Sequence, residues 1–154
     1  KTHLELLCQL FVLNKLLPHP ASTGKALYLP CDPGIAKKLG AGFSRKLQTW
    51  LLLETLSQAS YQGKLTLDQK YYYYRSSKGS FVDLVIDTPT ETQMIQIIDQ
   101  EGWDERWGRA LTGAENQIMN QMEEKKKISK TALYGGTKSI EHEGIRFSPW
   151  ESIA

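Results

Sequence analysis

Apolar side chains crowd the first seventeen positions. Leu4, Leu6, Leu7, Leu10, Phe11, Leu13, Leu16 and Leu17 occupy most of a helical circumference. That pattern predicts a largely buried helix over 3–17, ended by Pro18. The loop PHPASTG follows, and KALYLP reads as a short strand. Asp32 then stands before Pro33. Its carboxylate suits an N-cap, and proline costs nothing at the first helical position, so a short helix is expected over 33–39, stopped by Gly40. Ser44 is read as the cap of a second helix over 45–60. Leu47, Trp50, Leu51, Leu53 and Leu56 give this helix a wide apolar face.

The period then changes. KLTLDQKYYYYR and SFVDLVIDT are rich in aromatic and β-branched residues and lack a helical repeat, and SSKG at 76–79 separates them. This is the signature of a β-hairpin. Alternate side chains of a strand face opposite ways, so at most two of the four tyrosines Tyr71–Tyr74 share an exposed face, and the others belong to the core. Beyond the hairpin, TPTE has capping-box spacing: Thr88, Pro89 next, and Glu91 three residues on. It predicts a helix over 89–101 carrying Met94, Ile95, Ile97 and Ile98. Trp103, Trp107, Leu111, Ala114, Ile118 and Met122 keep close to a helical stripe, with a break expected near Gly108 or Gly113. EEKKK closes that helix. Residues 128–154 read as an extended tail that docks Phe147 and Trp150 on the domain or on a partner.

The fold class expected from these elements is α+β. A helical N-terminal part with a hairpin is followed by C-terminal helices and an extended tail. The organisation is a basic domain over 1–88, a helical acidic region over 89–127 and the tail over 128–154. A chain of 154 residues that is 40% hydrophobic builds a genuine core. No apolar run is long enough for a membrane span, and Glu5, Gln9, Asn14 and Lys15 interrupt the N-terminal stretch that would otherwise suggest a signal peptide. Cys8 and Cys31 are too few for a disulfide framework and lack metal spacing, so reduced thiols and a cytoplasmic location are expected.

Charge adds the strongest functional hint. Residues 1–80 hold eleven Lys/Arg against four Asp/Glu, and residues 81–154 hold eight against thirteen. A basic half suits a polyanionic partner; an acidic half suits a basic protein or repels the same polyanion. The alternative is two lobes that attract each other.

PGIAKKL, the glycine-rich connection GAG and SRKLQTWLLLETL form a two-helix unit, with the helix at 3–17 as support and the hairpin as a following wing. This order resembles the winged-helix family of DNA-binding domains over residues 3–88. The resemblance implies that a helix-turn-helix unit meets nucleic acid through Lys37, Lys38, Ser44, Arg45, Lys46, Gln48 and Thr49. Lys64, Lys70, Arg75 and Lys78 decorate the hairpin, with Tyr72 and Tyr74 as the stacking pair between them. The expected function is non-catalytic nucleic-acid binding within a larger nucleoprotein assembly, with DNA favoured over RNA.

Two alternatives stand beside it. Trp103, Trp107, Phe147 and Trp150 lie in the acidic half, and tryptophan is a preferred interface anchor. They suit a scaffold subunit, or self-association, without nucleic-acid contact; the competing role for them is core filling. The third reading is a Mg²⁺-dependent nuclease using Glu54, Asp83, Asp87, Asp99 and Glu101. GSFVDLVID resembles the strand that carries the first metal-binding aspartate in the restriction-endonuclease-like fold. The acid-x-lysine element this implies downstream is missing, because IIDQE ends in Glu101 without a lysine. His3, His19 and His142 are dispersed, and YGGTKS lacks the spacing of a phosphate loop. No catalytic residue, metal ligand or cofactor is therefore expected.

Overall fold

The computed structural model describes residues 3–63, 70–121 and 126–153. They form an eight-stranded mixed sheet with a helix on each face, and this replaces the expected winged-helix layout. In chain order the elements are α1 (His3–Gln9), β1 (Leu13–Pro18), β2 (Leu27–Pro30), α2 (Pro33–Lys38), α3 (Phe43–Tyr61), β3 (Lys70–Arg75), β4 (Phe81–Asp87), β5 (Glu91–Ile97), α4 (Arg109–Met119), β6 (Lys127–Tyr134), β7 (Ile140–His142) and β8 (Ile145–Pro149). Short 3₁₀ turns precede α4 and follow β8. Across the sheet the strands lie in the order β2-β1-β3-β4-β5-β6-β8-β7.

Strand direction organises the molecule. β1 is parallel to β3, β3–β4–β5 is an antiparallel meander, β6 is parallel to β5, and β8 is parallel to β6. Thus β1, β3, β5, β6 and β8 all run one way, and their carboxyl ends gather along one edge. Leu47, Leu51 and Leu52 of α3 cover one face, over Tyr73, Leu84, Ile86 and Ile97. Leu111, Ala114 and Ile118 of α4 cover the other, over Tyr74, Val82, Val85 and Met94. Both faces of β4 are therefore dry, which is why VDLVI reads as a continuous run rather than an alternation.

Several expectations fail for identifiable reasons. The leucine-rich N-terminus is not one buried helix. Helix α1 ends at Gln9, buries none of its residues, and gives way to β1 after Phe11, which has φ +55. An apolar run without clear period is ambiguous, and here partners on both sides capture it as a strand: β2 through Leu13↔Pro30 and β3 through Leu17↔Tyr72. The supporting helix of a helix-turn-helix is therefore absent. Helix α3 lies flat on the sheet, and the β3–β4 hairpin is central to the sheet rather than a wing.

TPTE is a tight turn. The Thr88 Oγ1 accepts from the Glu91 amide at 2.9 Å, which is the contact a capping box makes. However, the Thr88 amide also donates to the Glu91 carbonyl, so the chain reverses and continues as β5. Capping-box spacing fits either outcome, and the β4 edge decides between them. The C-terminal segment is equally not a tail. β6 pairs with β5 over seven residues, from Glu91↔Lys127 to Ile97↔Leu133, and β8 docks on β6 with Phe147 fully buried.

Other expectations hold. KALYLP supplies β2. Asp32 caps α2, its Oδ1 accepting from the Gly34 and Ile35 amides. Gly40 ends this region with φ +81. The hairpin turn falls at SSKG, closed by the Ser76 amide on the Ser80 carbonyl. The helical stripe breaks at Gly108, where the Ile145 side chain sits in the space a Cβ would need. Met122 and the start of EEKKK lie outside the described residues, as does the KLTL stretch at 64–67.

If the C-terminal strands belong to the core, Phe147→Ala should lower unfolding free energy by about 3–5 kcal/mol, the range for deleting a buried ring. Urea denaturation monitored by circular dichroism measures this. A docked tail would give a change well under 1 kcal/mol.

Candidate nucleic-acid interface

In open α/β sheets, ligand sites form beyond the carboxyl ends of parallel strands, where side chains converge without being needed for the ladder. Here that edge carries His19 after β1, Arg75 and Lys78 after β3, Asp99 after β5 and Lys138 after β6. Helix α3 also starts there, because the Ser44 hydroxyl donates to the Asp99 carboxylate. Ser44 is thus not the cap. The cap position is Gly42, with no side-chain hydrogen bond to the first turn. Asp99 instead brings a negative charge from β5 to the positive end of α3, where the helix dipole favours it.

Beside this contact lies Asp83. Ladder pairing between β4 and β5 runs from Asp87↔Thr92 to Leu84↔Ile95, and Ile97 lies beyond it. The Asp83 Oδ2 accepts from the Ile97 amide at 2.8 Å, so a side-chain oxygen takes the place of a main-chain acceptor where the strands part. A bulge in the β3–β4 register between Tyr72 and Tyr74 falls at the same level and re-aims the side chain. Asp83 is buried, and burial pushes its carboxyl up to about 7, opposed by the Ile97 hydrogen bond and by the Arg45 guanidinium. His19 is also buried. Its Nδ1 accepts from the Ala21 amide, and burial lowers its pKa.

GSFVDLVID supplies β4, an inner strand of the sheet, and the carboxylates of the nuclease reading do not assemble around Asp83. Asp87 is at the far end of β4, paired with Lys126 at 3.0 Å and accepting from the Thr92 hydroxyl. Asp99 is engaged by Ser44. Glu54 is about 15 Å along α3 from Ser44, at a rise of 1.5 Å per residue. Among the described residues, no three His, Cys, Asp or Glu side chains group as metal ligands. Cys8 and Cys31 are free thiols.

The expected contact residues separate. Lys37 and Lys38 are exposed in the last turn of α2, and Arg45 is exposed in the first turn of α3. Lys46 is half-buried. Thr49 is fully buried, its hydroxyl donating to the Arg45 carbonyl, so it cannot reach a groove, and Gln48 is half-buried like Lys46. Arg75 and Lys78 are exposed at the carboxyl edge, whereas Lys70 is at the opposite end of β3. Lys64 lies outside the described residues. Tyr74 is fully buried, and Tyr72 is half-buried with its ring edge-on to His19. Neither is a stacking platform, because β3 is an inner strand with packing on both faces.

The tryptophan set resolves in a similar way. Phe147 is core. Trp107 is half-buried against Tyr134, and the Trp150 indole N–H donates to the Ile98 carbonyl at 3.0 Å. Trp103 remains 41% exposed, edge-on to Phe147 and His142. Four other aromatics are exposed among the described residues, and sequence reasoning assigns none of them to a contact surface: Phe11 at 84%, Tyr61 at 91%, Phe43 at 64% and Trp50 at 36%. Periodicity carries no signal for the exposure of Phe43 and Trp50, since Trp50 counts with Leu47 and Leu51 in the expected apolar face and Phe43 stands one turn before Leu47. No family model, curated protein or solved structure matches the chain. Among the described residues no helix is long and apolar enough to cross a membrane.

Asp83 gives a pH dependence with a definite sign. Its folded pKa exceeds its unfolded value near 3.8, so the folded state holds the proton more tightly. The stabilisation is fully present below pH 4 and is lost as pH rises through about 7. Asp83→Asn keeps an acceptor for the Ile97 amide but removes the titration. The variant should lose less stability than the parent between pH 5 and pH 8, as read from urea midpoints at each pH. Parallel pH profiles would contradict the assignment.

Proposed function

We propose that this chain is a non-catalytic nucleic-acid-binding module, whose phosphate contacts come from the α2–α3 region. The observation that carries the reading is a gap in negative charge. Between Asp32 and Glu54 the sequence has no acid, yet it has Lys37, Lys38, Arg45 and Lys46. The Asp32 carboxylate is turned into the first turn of α2. The three ion pairs found among the described residues use other side chains. A cationic segment on two touching helices, offset in space by the Asp99 carboxylate on Ser44 and the buried Asp83 near Arg45, would draw a polyanion through counterion release. Arg75 and Lys78 extend positive charge along the carboxyl edge. Membership of a larger nucleoprotein assembly, with DNA favoured over RNA, belongs to the same proposal.

The site chemistry favours binding over cleavage. Asp83 is a carboxyl facing an amide and a guanidinium, not a set of metal-binding oxygens. Incubation of DNA or RNA with the protein and Mg²⁺ or Mn²⁺ should leave the strands intact.

Affinity for duplex and single-stranded oligonucleotides, measured by fluorescence anisotropy across a salt series, tests the reading. Binding should weaken steeply with salt. Replacing Lys37, Lys38 and Lys46 together by Gln should lower affinity at least tenfold near 50 mM salt, and should reduce the log–log salt slope by about 2–3. Undetectable binding at low salt would remove the proposal.

A further inference from the structure

Helix α3 has a face that its packing does not explain. Leu47, Leu51 and Leu52 turn toward the sheet. At 100° per residue, Phe43 and Trp50 lie within about 20° of one line, on the flank of the helix beside Leu47 and away from Leu52, with Lys46 next to them at the i+3 position from Phe43. Phe43 is 64% exposed and Trp50 is 36% exposed. A bulky aromatic thus stands at the first position of the helix and a second two turns later, the first mostly and the second about one-third open to solvent. Lys37 and Lys38 extend the positive charge at the Phe43 end, across the four-residue turn from α2. Glu54, one turn beyond Trp50, is the first acid in that direction and ends the strip.

From this strip we infer that the nucleic acid bound is single-stranded, with Phe43 and Trp50 stacking on two separate unpaired bases and Lys46 holding a phosphate between them. The inference rests on the nucleic-acid reading above and names its substrate class. Seven residues of helix place the two rings about 10 Å apart along the axis, too far to share one base. A duplex hides its base faces within the stack, so it offers phosphates to the lysines but nothing to the rings. An unpaired strand offers both. Base–aromatic stacking is tolerant of sequence because every base has a π-face, which fits a strip with no hydrogen-bonding side chain positioned to read base edges. Charge complementarity separates this occupant from an acidic-face neighbour of the same chain: Lys37, Lys38 and Lys46 stand around the rings against the Asp99 carboxylate on Ser44, and a polyanionic backbone satisfies both rings and cations at once.

Phe43→Leu and Trp50→Leu test it, because leucine keeps an apolar surface and removes the ring. Circular dichroism should match the parent for both variants, and the melting temperature for Phe43→Leu, while the partly packed Trp50 ring allows a modest drop for Trp50→Leu that is measured alongside. Each variant should bind a single-stranded oligonucleotide about 5–100-fold more weakly, the equivalent of losing one stacked base. Duplex affinity should stay within about twofold, and the salt slope of single-strand binding should be unchanged, because no phosphate contact is removed. Equal losses on single strand and duplex, or no loss on either, would overturn the inference while leaving cationic binding intact. Absence of any nucleic-acid binding by the parent would remove both readings. Ring-dependent binding to anionic phospholipid vesicles or to a protein, in place of an oligonucleotide, would likewise overturn it.

Discussion

Burial of β4 on both faces is the constraint from which the rest of the structure follows. Phe81–Asp87 supplies five consecutive buried residues, and no single helix can cover both sides of such a strand. The chain therefore needs an amphipathic helix above and another below, with strands on either flank. Helix α3 and the meander β3–β5 satisfy one face, and α4 satisfies the other only after the chain has left β5. Once α4 has crossed the sheet, β6 is delivered parallel to β5, and β8 follows by the same logic. The common direction of five strands, and hence the single edge where their ends converge, is a consequence of this burial.

Asp83 is the exception inside that buried run, and it locates the opening in the structure. A carboxyl in a dry strand is tolerated because the β4–β5 ladder ends beside it and leaves the Ile97 amide in need of an acceptor. The same parting of strands brings the Asp99 side of β5 to the start of α3. One polar substitution in an apolar strand thus coincides with a bulge, a fork and the approach of a helix end. Arg45, in the first turn of α3, links this region to the cations of α2 and α3, since its guanidinium opposes the burial that raises the Asp83 pKa.

Much of the local structure was legible in sequence, and the failures share a cause. The Asp32 cap, the Gly40 stop, the SSKG turn and the break at Gly108 depend on backbone preferences that a few adjacent residues settle. The helices expected over 3–17 and 89–101 give way to the strands β1 and β5 because the local signals there are compatible with two conformations. A leucine-rich run without period becomes a strand when β2 and β3 are available, and a Thr-x-x-Glu contact serves a turn as well as a helix start. In both cases a long-range partner made the choice. The tyrosines were misread for a related reason: alternation predicts two exposed rings only for a strand with one wet face, and β3 has none. For the candidate site, the clustering of cations was visible in sequence. The rotation of α3, which buries Thr49 and turns Phe43 and Trp50 outward, was not.

The parallel seam between β1 and β3 has a dynamic consequence. It joins parts of the chain that are far apart: the Tyr73 hydroxyl donates to the Lys25 carbonyl across 48 residues, and the Ser22 hydroxyl accepts from the Arg75 amide across 53. The register itself spans only Leu17↔Tyr72 and Pro18↔Tyr73, and Pro18 has no amide to donate. Contacts so distant in sequence form late, after the loop-closure entropy has been overcome, and a short seam opens early. The segment from α1 to β2, held to β3 also by the His19 and Thr23 amides on the Tyr73 and Arg75 carbonyls, is therefore expected to open ahead of the inner sheet. Its amides should exchange with solvent through partial opening, while those of Phe81–Asp87 wait for the whole domain to unfold.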